Sequence, residues 1–291
     1  METHIRKAAV LIEALPYLQE FRGATFLIKV GGSAMEDPEL VGSLLRDIVF
    51  LEVVGINPVI VHGGGKAISR AMQEAGLEAR FVGGLRVTDA SAVAIVEQTL
   101  GETINPQLVA GIESAGGRAL GVPGNSVFIA ERHHGKDPAT GQAVDLGYVG
   151  QVVDFHLDQV AQAIAEEIVP VLSPIGRDRS TGETLNINAD LAASALGSRL
   201  QAAKILYLSD VLGVLRDPAD PSSLIPSLDR AAVETAIGDR VISGGMIPKV
   251  RSALEALEAG VGKVHLIDGR IPHSVLLEIF TRSGVGTEIT R

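Results

Sequence analysis

The sequence predicts an α/β protein with a mostly parallel central sheet and helices on both sides of it. Short, wholly apolar runs recur along the chain: "TFLIKV", "NPVIVHG", "RALGVPG", "EIVPVLSPIG", "KILYLSD" and "KVHLIDG". Runs of this length without polar alternation suit strands buried on both faces. Helical patterns such as "PELVGSLLRDIVFLEVVG" and "AAVETAIG" separate them, as crossovers between parallel strands require. The chain has 291 residues, 46% of them hydrophobic and only 3% aromatic. That is enough for one large domain or two lobes sharing a sheet, with a core of Val, Ile, Leu and Ala.

Residues 5 to 20 form the first expected element, an amphipathic helix with Ile5, Ala8, Ala9, Ile12, Leu15 and Leu18 near one face. Pro16 should kink it or begin a second segment. Periodicity favours a helix packed on its own domain over one that docks on a neighbouring subunit. The opening "METHIRKAAVLIEALPYLQEFRG" carries glutamates among its leucines and does not read as a signal peptide. No apolar run approaches membrane-spanning length, so a cytoplasmic location is expected.

The first strand ends in "FLIKVGGSAM", which sets Lys29 in an apolar run just before Gly31 and Gly32. The second ends in "VIVHGGGKAIS", with the same strand-glycine-helix outline. Glycine at such a turn lets backbone N–H groups approach an anion, and the following helix adds its positive end. Known nucleotide loops do not fit. "GGGKAIS" puts Ala67 where a Walker A loop needs Ser or Thr, and no G-x-G-x-x-G opens a helix after the first strand. The protein-kinase catalytic set is absent too.

The middle stretch, "FIAERHHGKDPATGQAVDLGYVGQVVDF", mixes turn residues with short alternating runs and predicts antiparallel hairpins beside the main sheet. His133 and His134 read as a solvated hairpin tip, because no third ligand is spaced to complete a metal site. Further on, "LNINADLAASALGSRL" places Asn186, Asn188 and Asp190 where a loop enters a helix. Asn188 is a natural N-cap, and Asp190 suits the first turn. "KILYLSDVLGVL" ends a buried strand in Ser209 and Asp210, at the carboxyl edge where ligands bind such sheets. "GGMIPKVRSALEALEAG" predicts a helix with Pro248 in its first turn, Gly260 at its end, and Ile247, Val250, Leu254 and Leu257 inward. Lys249 then lies in the first turn, where the dipole disfavours a cation unless an anion is bound.

A net charge of −10 argues against a nucleic-acid binder, though local lysines can still hold a small anion. With no cysteine, disulfides, thiolate nucleophiles and zinc-thiolate sites are excluded.

Taken in order, "FLIKVGGSAM", "VIVHGGGKAIS", "FVGGLRVTD", "LNINAD", "YLSDVLGVL" and "GGMIPKV" resemble the amino acid kinase family over essentially the whole chain. The resemblance implies an open αβα sandwich of two lobes. Residues 23–177 would bind the acceptor acid, residues 178–291 would bind ATP with its Mg2+, and residues 1–22 would form an N-terminal helix for assembly and regulation. It is strongest for the branch that moves the γ-phosphoryl group of ATP to the γ-carboxylate of N-acetyl-L-glutamate in arginine biosynthesis. By motif, Lys29 and Lys249 match the lysines that stabilise the transferring group, and Asp190 matches the aspartate that organises both. Gly64 and Gly65 match glycines that approach the acceptor. Arg86 matches the clamp on its α-carboxylate, and Asn186 the partner of its acetamido end. Nucleotide-binding positions are Gly31, Gly32, Ser209, Asp210, Val211, Leu212, Gly213, Val214 and Leu215, with Val241, Ile242 and Ser243. No protein-ligated metal is implied.

The N-terminal helix and "HSVLLEIFTRSGVGTEI" resemble the arginine-inhibited members, whose N-terminal helices interlace dimers into a hexameric ring. That comparison implies homo-oligomers and makes His273, Glu278, Gly284 and Lys204 candidate contacts for L-arginine. Two departures bear on the acceptor: Lys66 where many relatives carry proline, and "GVPGNSVF" where a "GLSGKDG"-like segment is common. The rival expectations are a kinase of an aminoadipate derivative and a catalytically silent arginine or nucleotide sensor. Retention of both lysines and Asp190 counts against the second.

Overall fold

The computed structural model describes residues 1–136 and 141–291. The elements begin with helix α1 (Glu2–Phe21), strand β1 (Thr25–Val30), α2 (Pro38–Val53), β2 (Asn57–His62) and α3 (Gly65–Glu74). A short hairpin, β3 (Phe81–Val82) and β4 (Leu85–Arg86), comes next. Helix α4 (Ala90–Gln98) continues through a π turn, Thr99–Ile104, into α5 (Asn105–Ser114). After β5 (Ala119–Val122) come the long strands β6 (Phe128–Lys136) and β7 (Ala143–Phe155), then α6 (Asp158–Ala165). Strands β8 (Val169–Leu172), β9 (Ile175–Asp178) and β10 (Thr184–Asn186) precede α7 (Ala189–Arg199). The chain ends with β11 (Lys204–Ser209), β12 (Ser227–Leu228), α8 (Arg230–Gly238), α9 (Met246–Glu258), β13 (Lys263–Asp268), α10 (Ser274–Phe280) and β14 (Thr287–Ile289).

Eight strands make one sheet, ordered β12-β14-β13-β11-β1-β2-β8-β5. Its neighbours run parallel except β13 and β14. Each apolar run expected to be a strand supplies one, and the alternation along each strand serves two cores. Leu27, Val59, Val61, Ile205 and Tyr207 face Leu196 of α7 and Val250 and Leu257 of α9. Phe26, Ile28, Ile60, Leu206 and Leu208 face Leu44, Leu45 and Ile48 of α2 and Ile112 of α5. Each such side chain contributes about 1.5–3 kcal/mol by leaving water, which is why runs without polar alternation are stable here. Period-two alternation also puts Lys29 on the Leu27 side, toward α7 and α9. The sheet therefore aims this lysine at the helices that carry Asp190 and Lys249.

The middle stretch does form an antiparallel pair, β6 with β7. Beyond the expected hairpin, β9 and β10 close it into a four-stranded barrel, β10-β7-β6-β9. His133 is half-buried and His134 exposed on β6. The remainder of the predicted tip, residues 137–140, lies outside the described residues. Among the described residues no three His, Asp or Glu side chains converge as a metal site would require.

Helix α1 does not split at Pro16: it runs unbroken from Glu2 to Phe21 with the proline inside. Nor does it pack along its length on its own domain. Ile5 is 61% exposed and Ile12 68%, and Val10 and Leu11 are equally open. Among its described side chains the last turns dock: Tyr17 meets Phe280 edge-on and Phe21 meets Phe26. No helix among the described residues is long and apolar enough to cross a membrane.

Candidate active site

Lys29, Asp190 and Lys249 meet at the carboxyl end of β1. Lys29 Nζ lies 2.8 Å from Asp190 Oδ1, and Lys249 Nζ donates to Asp190 Oδ2 at 2.5 Å. Local sequence explains how three distant residues converge. The Asn188 side chain caps α7 by accepting from the N–H groups of Asp190 (2.9 Å) and Leu191 (3.2 Å). Asp190 is thereby fixed in the first helical turn. Tyr207, buried on β11, donates its hydroxyl to the Asp190 carbonyl at 3.3 Å. Ser194 Oγ of α7 donates to the Ser252 carbonyl at 3.1 Å and so ties α7 to α9.

The electrostatics follow from this geometry. Burial alone would raise the Asp190 pKa, but the charges of Lys29 and Lys249 outweigh it and hold the carboxyl at about 2. The carboxylate is thus ionised at neutral pH and keeps two ammonium groups side by side. Without it they would repel.

A larger residue in the glycine loop beside Lys29 would have to displace a charged side chain. A Cβ on Gly31 would lie 2.5 Å from Lys29 Nζ. Gly32 has φ +81°, and a Cβ there would strike the Asp210 carboxylate. Asp210 thus stands across the loop from Gly32 at the end of β11.

A cavity of about 200 Å³ opens beside this cluster, lined by Lys29, Gly64, Gly65, Arg86, Asn186 and Asn188 among others. The predicted acceptor residues are therefore brought together with one of the two lysines. Arg86 is buried, and burial lowers its pKa. Its Nη2 donates to the Gly65 carbonyl (2.8 Å) and Ser69 Oγ (2.9 Å), and its guanidinium lies 4.7 Å from the Phe81 ring centre. Asn186 Nδ2 donates to Thr88 Oγ1 at 3.1 Å. Phe81 and Leu85 also line the cavity; the sequence marks them only by their place in "FVGGLRVTD" beside Arg86. A second cavity of about 650 Å³ shares Gly64, Gly65, Phe81 and Arg86 with the first. Lys66, on its wall, pairs with Glu36 at 3.2 Å.

Of the predicted nucleotide residues, 209–215 end and follow β11, 241–243 follow α8, and Gly31 and Gly32 follow β1. Ser209 and Asp210 are half-buried and Val211 is exposed, while Leu212 and Leu215 are half-buried. Gly213 and Val214 turn inward, with Val214 N–H donating to Thr287 Oγ1 at 2.8 Å. Ile242 is packed in the core between half-buried Val241 and exposed Ser243. Val214 and Ile242 are core side chains whose N–H groups are already bonded within the chain, that of Ile242 to the Ala236 carbonyl at 2.9 Å.

A cavity of about 760 Å³ lies at the opposite edge of the sheet, between the end of α1 and α10. Of the four candidate contacts it gathers Lys204, Glu278 and Gly284 but not His273. His273 points instead to α2, with Nδ1 2.6 Å from Asp47 Oδ1. His265 of β13, within the run "KVHLIDG", lines the cavity beside Lys204 and Glu278. His265 Nδ1 lies 2.7 Å from Glu278 Oε1 and its Nε2 3.0 Å from Lys204 Nζ. Glu278 Oε2 also accepts from the N–H groups of Val285 (2.6 Å) and Gly286 (2.9 Å). Burial lowers the pKa of both Lys204 and His265.

The chain is similar to known proteins over nearly its whole length. The model of the amino acid kinase family matches residues 24–268. An acetylglutamate kinase from Akkermansia muciniphila is 55% identical over 99% of this chain and 96% of its own length. Another from Aquifex aeolicus is 46% identical over 100% of this chain and 99% of its own. An N-acetylglutamate synthase from Neisseria gonorrhoeae, solved with coenzyme A and N-acetyl-glutamate, superposes on 98% of this chain with a TM-score of 0.84 at 26% identity. This chain spans 63% of that synthase chain. A Giardia carbamate kinase shares the fold, with a TM-score of 0.66 at 16% identity over 92% of this chain and 99% of its own. On the match of the family model and the near-full-length relatives, the chain belongs to the amino acid kinase family.

Proposed function

We propose that this chain transfers the γ-phosphoryl group of ATP to the γ-carboxylate of N-acetyl-L-glutamate, the second step of arginine biosynthesis, in the cytoplasm. The observation that carries the reading is the Lys29–Asp190–Lys249 cluster at the edge of the cavity that holds Arg86 and Asn186. Residues 23–177 supply most of the acceptor side and residues 178–291 the nucleotide side.

A carboxylate oxygen of the acceptor attacks the γ-phosphorus. The bond to the β,γ-bridging oxygen breaks, and N-acetyl-L-glutamyl 5-phosphate and ADP result. The acceptor is already a nucleophile at neutral pH, so no general base is needed. Phosphoryl transfer then depends on alignment and on neutralising charge. Lys29 and Lys249 stabilise the transferring group, Asp190 organises the two ammoniums, and the Gly31–Gly32 turn lets the backbone approach the phosphates. Arg86 clamps the α-carboxylate with its planar fork, and Asn186 takes the acetamido end. Magnesium bound to the nucleotide supplies further neutralisation of phosphate charge.

The test is ADP release with ATP, magnesium and a panel of acidic acceptors. Turnover on N-acetyl-L-glutamate is expected. Preference for an aminoadipate derivative moves the assignment to the sister reaction, and no turnover on any acceptor leaves a silent sensor. In the same assay Arg86→Lys should raise the acceptor KM roughly 10- to 100-fold with a smaller change in kcat, the scale of hydrogen bonds to a charged group. An unchanged KM removes the clamp.

The cavity at the α1 edge supports a second ligand, L-arginine, with the Glu278 carboxylate as the partner of its guanidinium. Arginine should lower turnover, and Glu278→Gln should reduce the ratio of rates without and with arginine toward one. The bare apolar face of α1 supports docking of a second copy of the chain.

A further inference from the structure

His62 ends β2, directly before Gly63, Gly64 and Gly65, and is fully buried. Its Nδ1 lies 2.9 Å from the Gly63 carbonyl oxygen, and its Nε2 lies 3.3 Å from Asn105 Nδ2. Asn105 is itself buried, and the same Nδ2 donates to the Val171 carbonyl at 2.8 Å. An amide nitrogen only donates, so His62 Nε2 accepts and Nδ1 carries the proton and donates to Gly63. Burial lowers the imidazole pKa to about 4, so this neutral tautomer persists across the working pH range.

Asn105 has this reach because it follows the π turn Thr99–Ile104, an irregularity frequent at functional sites. Two side chains of that turn stand over the glycine loop. A Cβ on Gly64 would lie 2.6 Å from Ile104 Cδ1 and 2.7 Å from Leu100 Cδ2. On the third side, Gly63 N–H donates to the Val30 carbonyl at 2.7 Å. Gly63 and Gly64 are thus gripped by β1, by the π turn and by a hydrogen-bonded pair behind them. Neither His62 nor Asn105 lines the cavity of about 200 Å³ that holds Lys29 and Arg86.

We propose that His62 and Asn105 are positioning residues for phosphoryl transfer, holding the Gly63–Gly64 peptide so that the backbone of Gly64 and Gly65 stays aligned with Lys29. The inference rests on the phosphoryl-transfer reading for its kinetic consequence and on the loop geometry alone for its structural one. A leucine at position 62 fills the same space but leaves the Gly63 carbonyl without its donor. An asparagine at that position keeps a donor near the place of Nδ1. Misalignment of about 1 Å costs up to about 10²-fold in rate, so the loss should appear in kcat.

The experiment compares the wild-type chain with His62→Leu, His62→Asn and Asn105→Leu. Steady-state kcat and both KM values are measured on N-acetyl-L-glutamate with MgATP, together with hydrogen exchange over residues 60–66. His62→Leu should lower kcat by about 10- to 100-fold with KM values within about 3-fold, and speed exchange in the loop. His62→Asn should recover most of both losses, and Asn105→Leu should fall between. A folded His62→Leu with wild-type kcat and unchanged exchange overturns the proposal. So does a loss that His62→Asn fails to rescue, or a kcat–pH step near 6.5 that vanishes in His62→Asn, which would make the imidazole a proton carrier. If His62→Leu does not fold, Asn105→Leu decides by the same two readouts. A wild-type chain inactive on N-acetyl-L-glutamate sinks the proposed function, while loop exchange still decides whether His62 holds the loop.

Discussion

Replacing Lys249 by alanine should lower kcat on the order of 10²–10³-fold while the acceptor KM stays within a few-fold, the scale seen when one preorganised donor is lost. The reason lies in where this ammonium sits. It occupies the first turn of α9, where the helix end is positive and a cation is disfavoured. Asp190 Oδ2, 2.5 Å away, holds it there. Before reaction its charge is matched by that carboxylate. In the proposed reaction, negative charge grows on the phosphoryl oxygens as the group leaves ATP, and Lys249 gains a partner it lacked in the ground state. An interaction stronger in the transition state than in the ground state changes kcat, not binding. Steady-state kinetics on the purified variant measure this directly. Near-normal kcat would mean that Lys249 only balances Asp190. A rise in acceptor KM with kcat intact would place it among the binding groups.

The parts of this molecule that were legible in the sequence share a physical cause. Strands such as Thr25–Val30 and Lys204–Ser209 are buried on both faces, so their composition is nearly continuous and their alternation orders the side chains. Once Leu27 faces α7 and α9, Lys29 must do so too. Capping is local as well, which is why Asn188 announced the start of α7. What stayed hidden depends on long-range assembly. Strands β9 and β10 are only four and three residues long, too short for a period to show, and their closure of the barrel is a matter of distant pairing. The apolar stripe of α1 marked a face but not what covers it, and most of that face is bare in the chain alone. His273 and His265 show the same limit. Both precede Glu278 in the chain, and only the packing of α10 on β13 brings His265 to it. His273, at φ +59° before α10, turns toward Asp47 instead. The His62–Asn105 contact spans 43 residues and depends on a π turn that no simple periodicity reveals.

Asp190→Asn should lower kcat by on the order of 10²-fold and destabilise the fold in a pH-dependent way. The amide keeps the shape of the carboxylate but not its charge, so Lys29 and Lys249 lose the group that holds them together. Repulsion then spreads the ammoniums away from the line of transfer, and both KM values should change less than kcat. The stability effect has a definite sign. The folded-state pKa of Asp190 is depressed from 3.8 to about 2, which corresponds to about 2 kcal/mol of stabilisation by the charged form. That contribution is complete above pH 3.8 and is lost as pH falls through about 2, where the carboxyl protonates even in the folded chain. Wild type should therefore exceed Asp190→Asn in stability by a constant margin from pH 7 down to about 4, and the gap should narrow below it. Denaturant unfolding of both proteins across this range reads the margin directly. A gap that stays constant down to pH 3 would trace the loss to packing and not to charge. The two expected losses share one cause, because the carboxylate proposed to place the two cations for catalysis also makes their proximity tolerable in the resting fold.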